Sequence, residues 1–534
     1  FWLAEMSGSK RWQRVGSKVA EAEKSIDVSS RSPSDPDSKS HSIASIAIIG
    51  GGVSGLACAK RLGDHGLEAT VFDTGKRGPG GRASSRIWNG HIVDHAVQYV
   101  ACTNPEFRNM LATCGAARPW GNDGRFGVLS ESGFSPILDG VDRWIGIDGF
   151  GGIVSFLASG LNIRQDVWVP PSNGIRCETD GSWSVAVPTK KARSATEKFD
   201  AVVIAHNGKC AERLTSGIPA REVHTLLRTN FAASLPSSLQ AGAGKFTLNQ
   251  IYSLVFELPA GVMPTNFDAA FIETDPHLRW LSSNSSKFRR DEGTSTTEVW
   301  TVLSTALFGN RHKVPQEALE GTDKEVEVIG LLFRSVERVL GLSEKRLQAC
   351  VAATKLQLWG AALPINKWAS KDGVDFVWSG AHKIGVAGDW FAISDTPASS
   401  VEAAWLSGTR LADHIAHATD NDAGIELGEN GGRFCPVDGD FGTSGSDCST
   451  WVAEPGSHNS AQGKGHRDYG KSSAKGNSKG KNGHISERIE QKSEWGREGQ
   501  GWKENSGAKG YHNGWEDARR WVKGGGKGNW KGAR

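Results

Sequence analysis

A chain of 534 residues with 38% hydrophobic and 23% charged residues and a formal net charge of +3 can bury a sizeable core, which excludes a fibrous or uniformly disordered protein. Its eight cysteines are scattered, with no Cys-x-x-Cys pair and no Cys/His cluster at zinc spacing, so reduced thiols in an intracellular compartment are expected and no metal site. No apolar run approaches the ~18 residues of a spanning helix, so a soluble protein away from membranes is expected.

Residues 1–42 are Ser-rich but carry Glu5, Glu21, Glu23, Asp27, Asp35 and Asp37, unlike an acid-poor transit peptide, and read as a disordered leader. The chain starts at Phe1 rather than Met, which leaves localisation open between cytoplasm and an organelle. The globular body then runs from about 43 to 416.

It opens with "SIAIIGGGVSGLACAKRLGDHGLEATVFD", residues 45–73, which predicts a strand, a glycine turn, a helix and a second strand ending in an acid. Gly50, Gly52 and Gly55 give G-x-G-x-x-G: the first for a tight turn, the second for close approach to a pyrophosphate, the third for packing helix on strand. Val53 and Ser54 open the helix, whose N-terminal amides face an anion, and Asp73 is placed to accept hydrogen bonds from ribose hydroxyls. In "RGPGGRASSR", Gly80 and Gly81 allow a second backbone approach and Arg82 can neutralise a pyrophosphate.

Further on, Val167–Val169, Ile175–Glu178, Trp183–Val187 and Phe199–Ala205 read as strands, with Asp180-Gly181 as a hairpin turn. From 222 to 310 strand-like runs recur without intervening helices, predicting an antiparallel sheet. An amphipathic helix is predicted near Lys324–Leu340, a strand at Ala352–Trp359, and a strand, loop and helix in "KIGVAGDWFAISDTPASSVEAAWLSGTRLADHI". Trp280, Trp300, Trp359, Trp378, Trp390 and Trp405 are candidates for a cavity wall. Beyond 417 the text becomes Gly-, Ser- and Lys-rich and reads as a disordered tail. Residues 461–534 hold 17 Lys/Arg against 8 Asp/Glu, with five tryptophans interleaved, a pattern that also suits nucleic acid.

The segments "AIIGGGVSGLACAKRL", "GPGGRASSR", "VDHAVQYV", "FDAVVIAHN", "RWLSSNSSK" and "VAGDWFAISDTPASSVEAAWLSG" occur in the order found in the flavin-containing amine oxidase superfamily. Within it the chain most resembles the renalase-like FAD-dependent oxidoreductases. The resemblance implies FAD as cofactor, with Gly388 and Asp389 at its ribityl and pyrophosphate region and Ser400, Val401 and Glu402 opening a helix towards the flavin pyrimidine. It also implies that Gln98 and Tyr99 lie near the flavin, that Val169, or Val167 in a shifted register, meets adenine, and that Lys287 is a catalytic residue near flavin N5. Ala96 stands where the family usually has glycine, and "AHNGKCAERL" lacks a proline often found there.

The fold expected is α/β: an FAD-binding Rossmann-type three-layer domain (43–210 and 350–416, interleaved) with an inserted antiparallel-sheet (α+β) substrate domain (211–349), flanked by disordered tails (1–42 and 417–534). The function expected is hydride transfer from a small organic substrate to the flavin, with O2 as electron acceptor, by a monomer. Relatives act on reduced nicotinamide isomers, amines, or polycyclic and polyene compounds. The competing readings are an NAD(P)-dependent dehydrogenase and a degenerate flavoprotein fold binding nucleic acid through its tail.

Overall fold

In the first strand, β1 (Ser45–Ile49), successive side chains are buried on opposite faces, as expected of a parallel strand covered on both sides. Ile46 and Ile48 pack with Cys58 and Leu62 of helix α1 (Val53–Asp64) and with Leu411 and Ile415 of the closing helix Ser400–His417. Ala47 and Ile49 pack with Trp183, Val185 and Phe199 of a three-stranded antiparallel sheet. Helices, parallel sheet and small antiparallel sheet thus form three layers, and each fully buried isoleucine of β1 contributes about 1.5–3 kcal/mol.

A computed structural model describes residues 43–187, 195–235, 244–264, 266–288, 295–315, 319–393, 400–417, 426–429 and 431–437, all within one compact unit. The leader 1–42 and the basic, Trp-bearing stretch 461–534 lie outside the described residues. The parallel sheet runs Asn162–Arg164, β2 (Glu68–Phe72), β1, Ala201–Ile204, Ile384–Val386, and continues antiparallel through Val377–Ser379 and Glu426–Leu427. Strands more than 300 residues apart in sequence are therefore two places apart in one sheet.

The second sheet has the order Ala353–Trp359, Ile251–Pro259, Thr297–Ser304, Leu278–Ser283, Ala269–Ile272, Phe126–Ser130, Gly133–Pro136. The amphipathic helix Asp323–Val339 covers it through Val328, Leu332 and Val336. Two of its hairpin strands and its far edge come from outside 211–349, because alternation marks a strand without naming its neighbour. Ala269–Ile272 pairs parallel with Phe126–Ser130, the one parallel pairing in an otherwise antiparallel sheet among the described residues.

Other local expectations need correction. Helices Arg221–Leu227, Asn284–Lys287 and Ala306–Arg311 interrupt the 222–310 run. Val167–Val169 is not a strand; after a turn with Asp166 at φ 55°, Val167 N–H donates to Asp73 O instead. The Phe199–Ala205 run breaks at Asp200, whose carboxylate accepts from the Ala44 and Ser45 amides. The tail read from 417 contains an ordered piece: Arg433–Pro436 pairs with Asn366–Ala369 and buries Phe434 against Phe246 and Trp368.

Candidate functional site

At the carboxyl ends of the parallel strands lies a cavity of about 390 Å3, where open α/β sheets hold ligands. β1 turns out through Gly50, at φ +117°, where a Cβ would lie 2.8 Å from Ala205 O. Gly55 lies inside α1, where a Cβ would fall 2.0 Å from Gly50 O, so this glycine lets the helix seat on the turn. Gly52 differs: a Cβ there would meet nothing within 4 Å. No side chain caps α1, and Gly52, Val53 and Ser54 line the cavity. Open space beside uncapped helix amides fits an anion such as a pyrophosphate.

The second glycine loop rests on the first, with Gly80 N–H donating to Gly51 O at 2.7 Å. Gly80 and Gly81 both take positive φ, and a Cβ on Gly80 would press on Val154. Asp73 ends β2 at the cavity wall, accepting from the Gly51 amide at 2.9 Å and the Gly75 amide at 2.7 Å. Burial pushes its pKa up, against the pull of those two amides.

Arg82 and Asp389, placed separately on the cofactor by the sequence, bind each other here. The guanidinium donates to both carboxylate oxygens, at 2.8 and 2.9 Å, and to Ala362 O, while Ser400 Oγ donates to Asp389 at 2.7 Å. Burial alone would raise the Asp389 pKa; the Arg82 charge and these hydrogen bonds outweigh it and hold it below the ordinary carboxylate value. A depressed folded-state pKa gives stability that is complete above the unfolded value of about 3.9 and lost as pH falls towards the folded value. The melting-temperature gap between wild type and Arg82→Gln is therefore expected to be widest near neutral pH and to narrow below about pH 4. A gap independent of pH, in melts from neutral to acid, would remove the pair from the account.

Gly50, Gly52, Val53, Ser54, Asp73, Gly80, Gly81, Arg82, Val169, Gly388, Asp389, Ser400 and Val401 all line the cavity, and Gly55 lies directly behind it. Gly388 leaves room for the Trp390 indole, 2.7 Å from where its Cβ would be. Besides Gly55, four expected residues are not on the wall. Glu402 is buried, taking the Thr103 and Asn104 amides and the Thr103 hydroxyl, and so ties the closing helix to the 103–104 turn. Gln98 donates to Asp94 O and Ala96 O and accepts from Ser282 Oγ. Tyr99 packs in an aromatic cluster with Trp120, Phe126 and Trp280. Lys287 is wholly buried, its Nζ donating to Asp94 Oδ2 at 3.1 Å and Gln98 O at 2.8 Å. Burial lowers its pKa against the opposing pull of Asp94.

Of the six candidate tryptophans, Trp359 and Trp390 reach the wall. The sequence reading missed His206, which follows the Ala201–Ile204 strand into the cavity. Its Nδ1 lies 3.1 Å from Ile49 O; a carbonyl only accepts, so Nδ1 carries the proton and Nε2 is left as an acceptor. Burial, opposed by that carbonyl, keeps the ring below the ordinary histidine pKa. Its position at the end of a central parallel strand was the available signal.

The sequence pattern of the NAD(P)-binding Rossmann-like domain family matches residues 48–114. Protoporphyrinogen oxidase 2, chloroplastic/mitochondrial, of Arabidopsis thaliana is 39% identical over 70 residues, 13% of this chain and 14% of that protein's length. Among solved structures, wild-type putrescine oxidase bound to putrescine aligns with a TM-score of 0.47 at 12% identity, covering 70% of this chain and 99% of that one. Cyclohexylamine oxidase from Brevibacterium oxydans aligns with a TM-score of 0.44 at 14% identity, again over 70% of this chain and 99% of that one. Among the described residues, no helix is long and apolar enough to cross a membrane.

Proposed function

We propose that the chain is an FAD-dependent oxidoreductase of the flavin-containing amine oxidase type that oxidises a small organic substrate, with dioxygen as electron acceptor. The observation that carries the reading is the reach of the cavity, from Asp73 and Val169 past the uncapped α1 to Arg82, Asp389, Ser400 and Val401. A site for an ADP half alone has no use for a second glycine loop hydrogen-bonded to the first, or for a strand end some 340 residues downstream. A bound flavin would supply an acceptor for a substrate hydride, with dioxygen taking up the two electrons and two protons as peroxide.

The chain's own residues bind and orient. Asp73 and His206 Nε2 offer acceptors to hydroxyl or amino groups, the α1 amides and the Gly52 space offer an anion site, and Arg82 offsets the buried Asp389 carboxylate. Trp359, Val97 and Ala361 add apolar surface to the wall. Lys287, away from the wall, holds Asp94 and the Gln98 carbonyl together.

The purified full chain is expected to be yellow, to release FAD on denaturation, and to form peroxide with its substrate in air. Amines, reduced nicotinamide isomers and porphyrinogen-type compounds are the substrates to try, with anaerobic bleaching as the readout. A colourless protein that binds NAD(P)H alone would overturn the proposal.

A further inference from the structure

A second cavity, of about 570 Å3, lies on the outer side of the second glycine loop. The loop is the partition between the two: Gly80, Gly81 and Arg82 line the first cavity, while Gly78, Pro79 and Ser84 line the second, and no residue lines both. Val154 of the helix Phe150–Ala158, which a Cβ on Gly80 would meet at 3.0 Å, belongs to the second wall.

Two arginines line this outer cavity, Arg77 from the loop and Arg86 from the strand Ser85–Trp88. Among the described residues neither guanidinium forms an ion pair, and the one hydrogen bond between them is that of Arg86 Nη1 to the carbonyl of its neighbour Ser85, at 2.9 Å. Burial first, and the charge of Arg77 second, lower the pKa of the half-buried Arg86. Burial chiefly, with both arginines after it, pushes His95 down to about 4 against the pull of Asp94, so the field of the pair reaches past the wall. One carboxylate, that of Asp148, lines the cavity too, which leaves two positive charges against one negative.

The helix start beside them adds no free donor. The amides of Phe150, Gly151 and Gly152 donate to Asp94 Oδ1, Ser85 Oγ and Gly149 O. The donors left over on this wall are therefore those of the two guanidinium forks. Beside them is open space: a Cβ on Gly78 would meet nothing within 4 Å, and one on Gly152 nothing closer than Ala116 at 3.8 Å. A cation that is half out of water and has no partner is costly, and two of them on one cavity make a site for an anion.

A phosphate monoester carries close to two negative charges at neutral pH and three terminal oxygens, enough for two forks, whereas the two oxygens of a carboxylate are taken up by one. A space of about 570 Å3 also exceeds a bare ion and is in the range that encloses a small organic molecule. We propose that this outer cavity binds a small phosphorylated molecule, with Arg77 and Arg86 on its phosphoryl oxygens and its body along Ile87, Ile92 and Val154.

The test uses the full chain and phenyl phosphate, with benzoate as the carboxylate of the same ring and inorganic phosphate as the anion without a body, at equal ionic strength. Binding is read by calorimetry and by the rise in melting temperature. Phenyl phosphate is expected to bind wild type more tightly than either control, and at least about ten-fold more weakly to Arg77→Gln and to Arg86→Gln. Neither substitution touches the α1 amides, so a phosphate held there instead would bind wild type and both variants alike. Without ligand, Arg77→Gln is expected to melt no lower than wild type, because it removes an unpaired charge that faces another of its own sign. Equal phenyl phosphate affinity in wild type and both variants, no wild-type binding at millimolar concentration, benzoate or inorganic phosphate binding as tightly as phenyl phosphate, or a lowered melting temperature of ligand-free Arg77→Gln would each overturn the proposal. No readout depends on flavin or turnover, so a colourless protein that binds phenyl phosphate through the two arginines would end the flavin reading and leave this one standing.

Discussion

Asp94→Ala is expected to cost about 3–5 kcal/mol of stability, enough to leave many domains of this kind largely unfolded at physiological temperature. Both partners of the Asp94–Lys287 pair are 0% exposed, so the variant strands an ammonium where water cannot reach it. It also removes the acceptor of the Phe150 amide and the Ser85 hydroxyl, both on Asp94 Oδ1, at the start of the helix Phe150–Ala158. Lys287→Met is expected to be milder, because Asp94 keeps those two donors. The double variant Asp94→Ala, Lys287→Met is expected to recover part of the loss, since an ion pair replaced whole costs less than one broken. Urea melts of the four proteins check this, and additivity of the single effects within about 0.5 kcal/mol would show that the pair is not coupled.

Two glycines of one motif are expected to fail in opposite ways. Gly55→Val places a Cβ against Gly50 O, and since the obstacle is backbone the cost is at least the 1–3 kcal/mol typical of overpacking, about 3 kcal/mol or more here. Gly52→Val has open space and an ordinary φ of −76°, so the ligand-free fold is expected to melt within about 0.5 kcal/mol of wild type. That space is the one assigned to the pyrophosphate, so this variant is expected to lose bound flavin. Measuring melting temperature and flavin per chain separates the two. Full flavin content in Gly52→Val would move the pyrophosphate away from this loop.

The first unit, residues 45–73, was legible because everything that defines it is local: a short apolar run, glycines at fixed offsets and an acid at a strand end. Arg82 and Asp389 were each legible as motif residues, but their mutual pairing was not, since no local spacing links positions 307 residues apart. The second sheet was legible as an antiparallel sheet of the 222–310 strands but not in its full membership; nothing in "FGVLS" names Ala269–Ile272 as its parallel neighbour. His206 sat in runs noted for the family resemblance and for a missing proline, without a role of its own, and its place on the cavity wall follows from where the strand ends.

The interior place of Ile384–Val386 in the seven-stranded sheet has a consequence for the order of events in the cell. When the first 210 residues have left the ribosome, β1, β2 and α1 exist as sequence, yet the strand that borders Ala201–Ile204 and the helix that covers Ile46 and Ile48 are still to be translated. Asp389 and Ser400 arrive last, and with them the partner of Arg82. A dinucleotide therefore has no complete berth on the nascent chain, and loading is a step that follows synthesis of the whole body. Supply of cofactor then acts on finished protein, stabilising what has already closed rather than guiding what is still emerging.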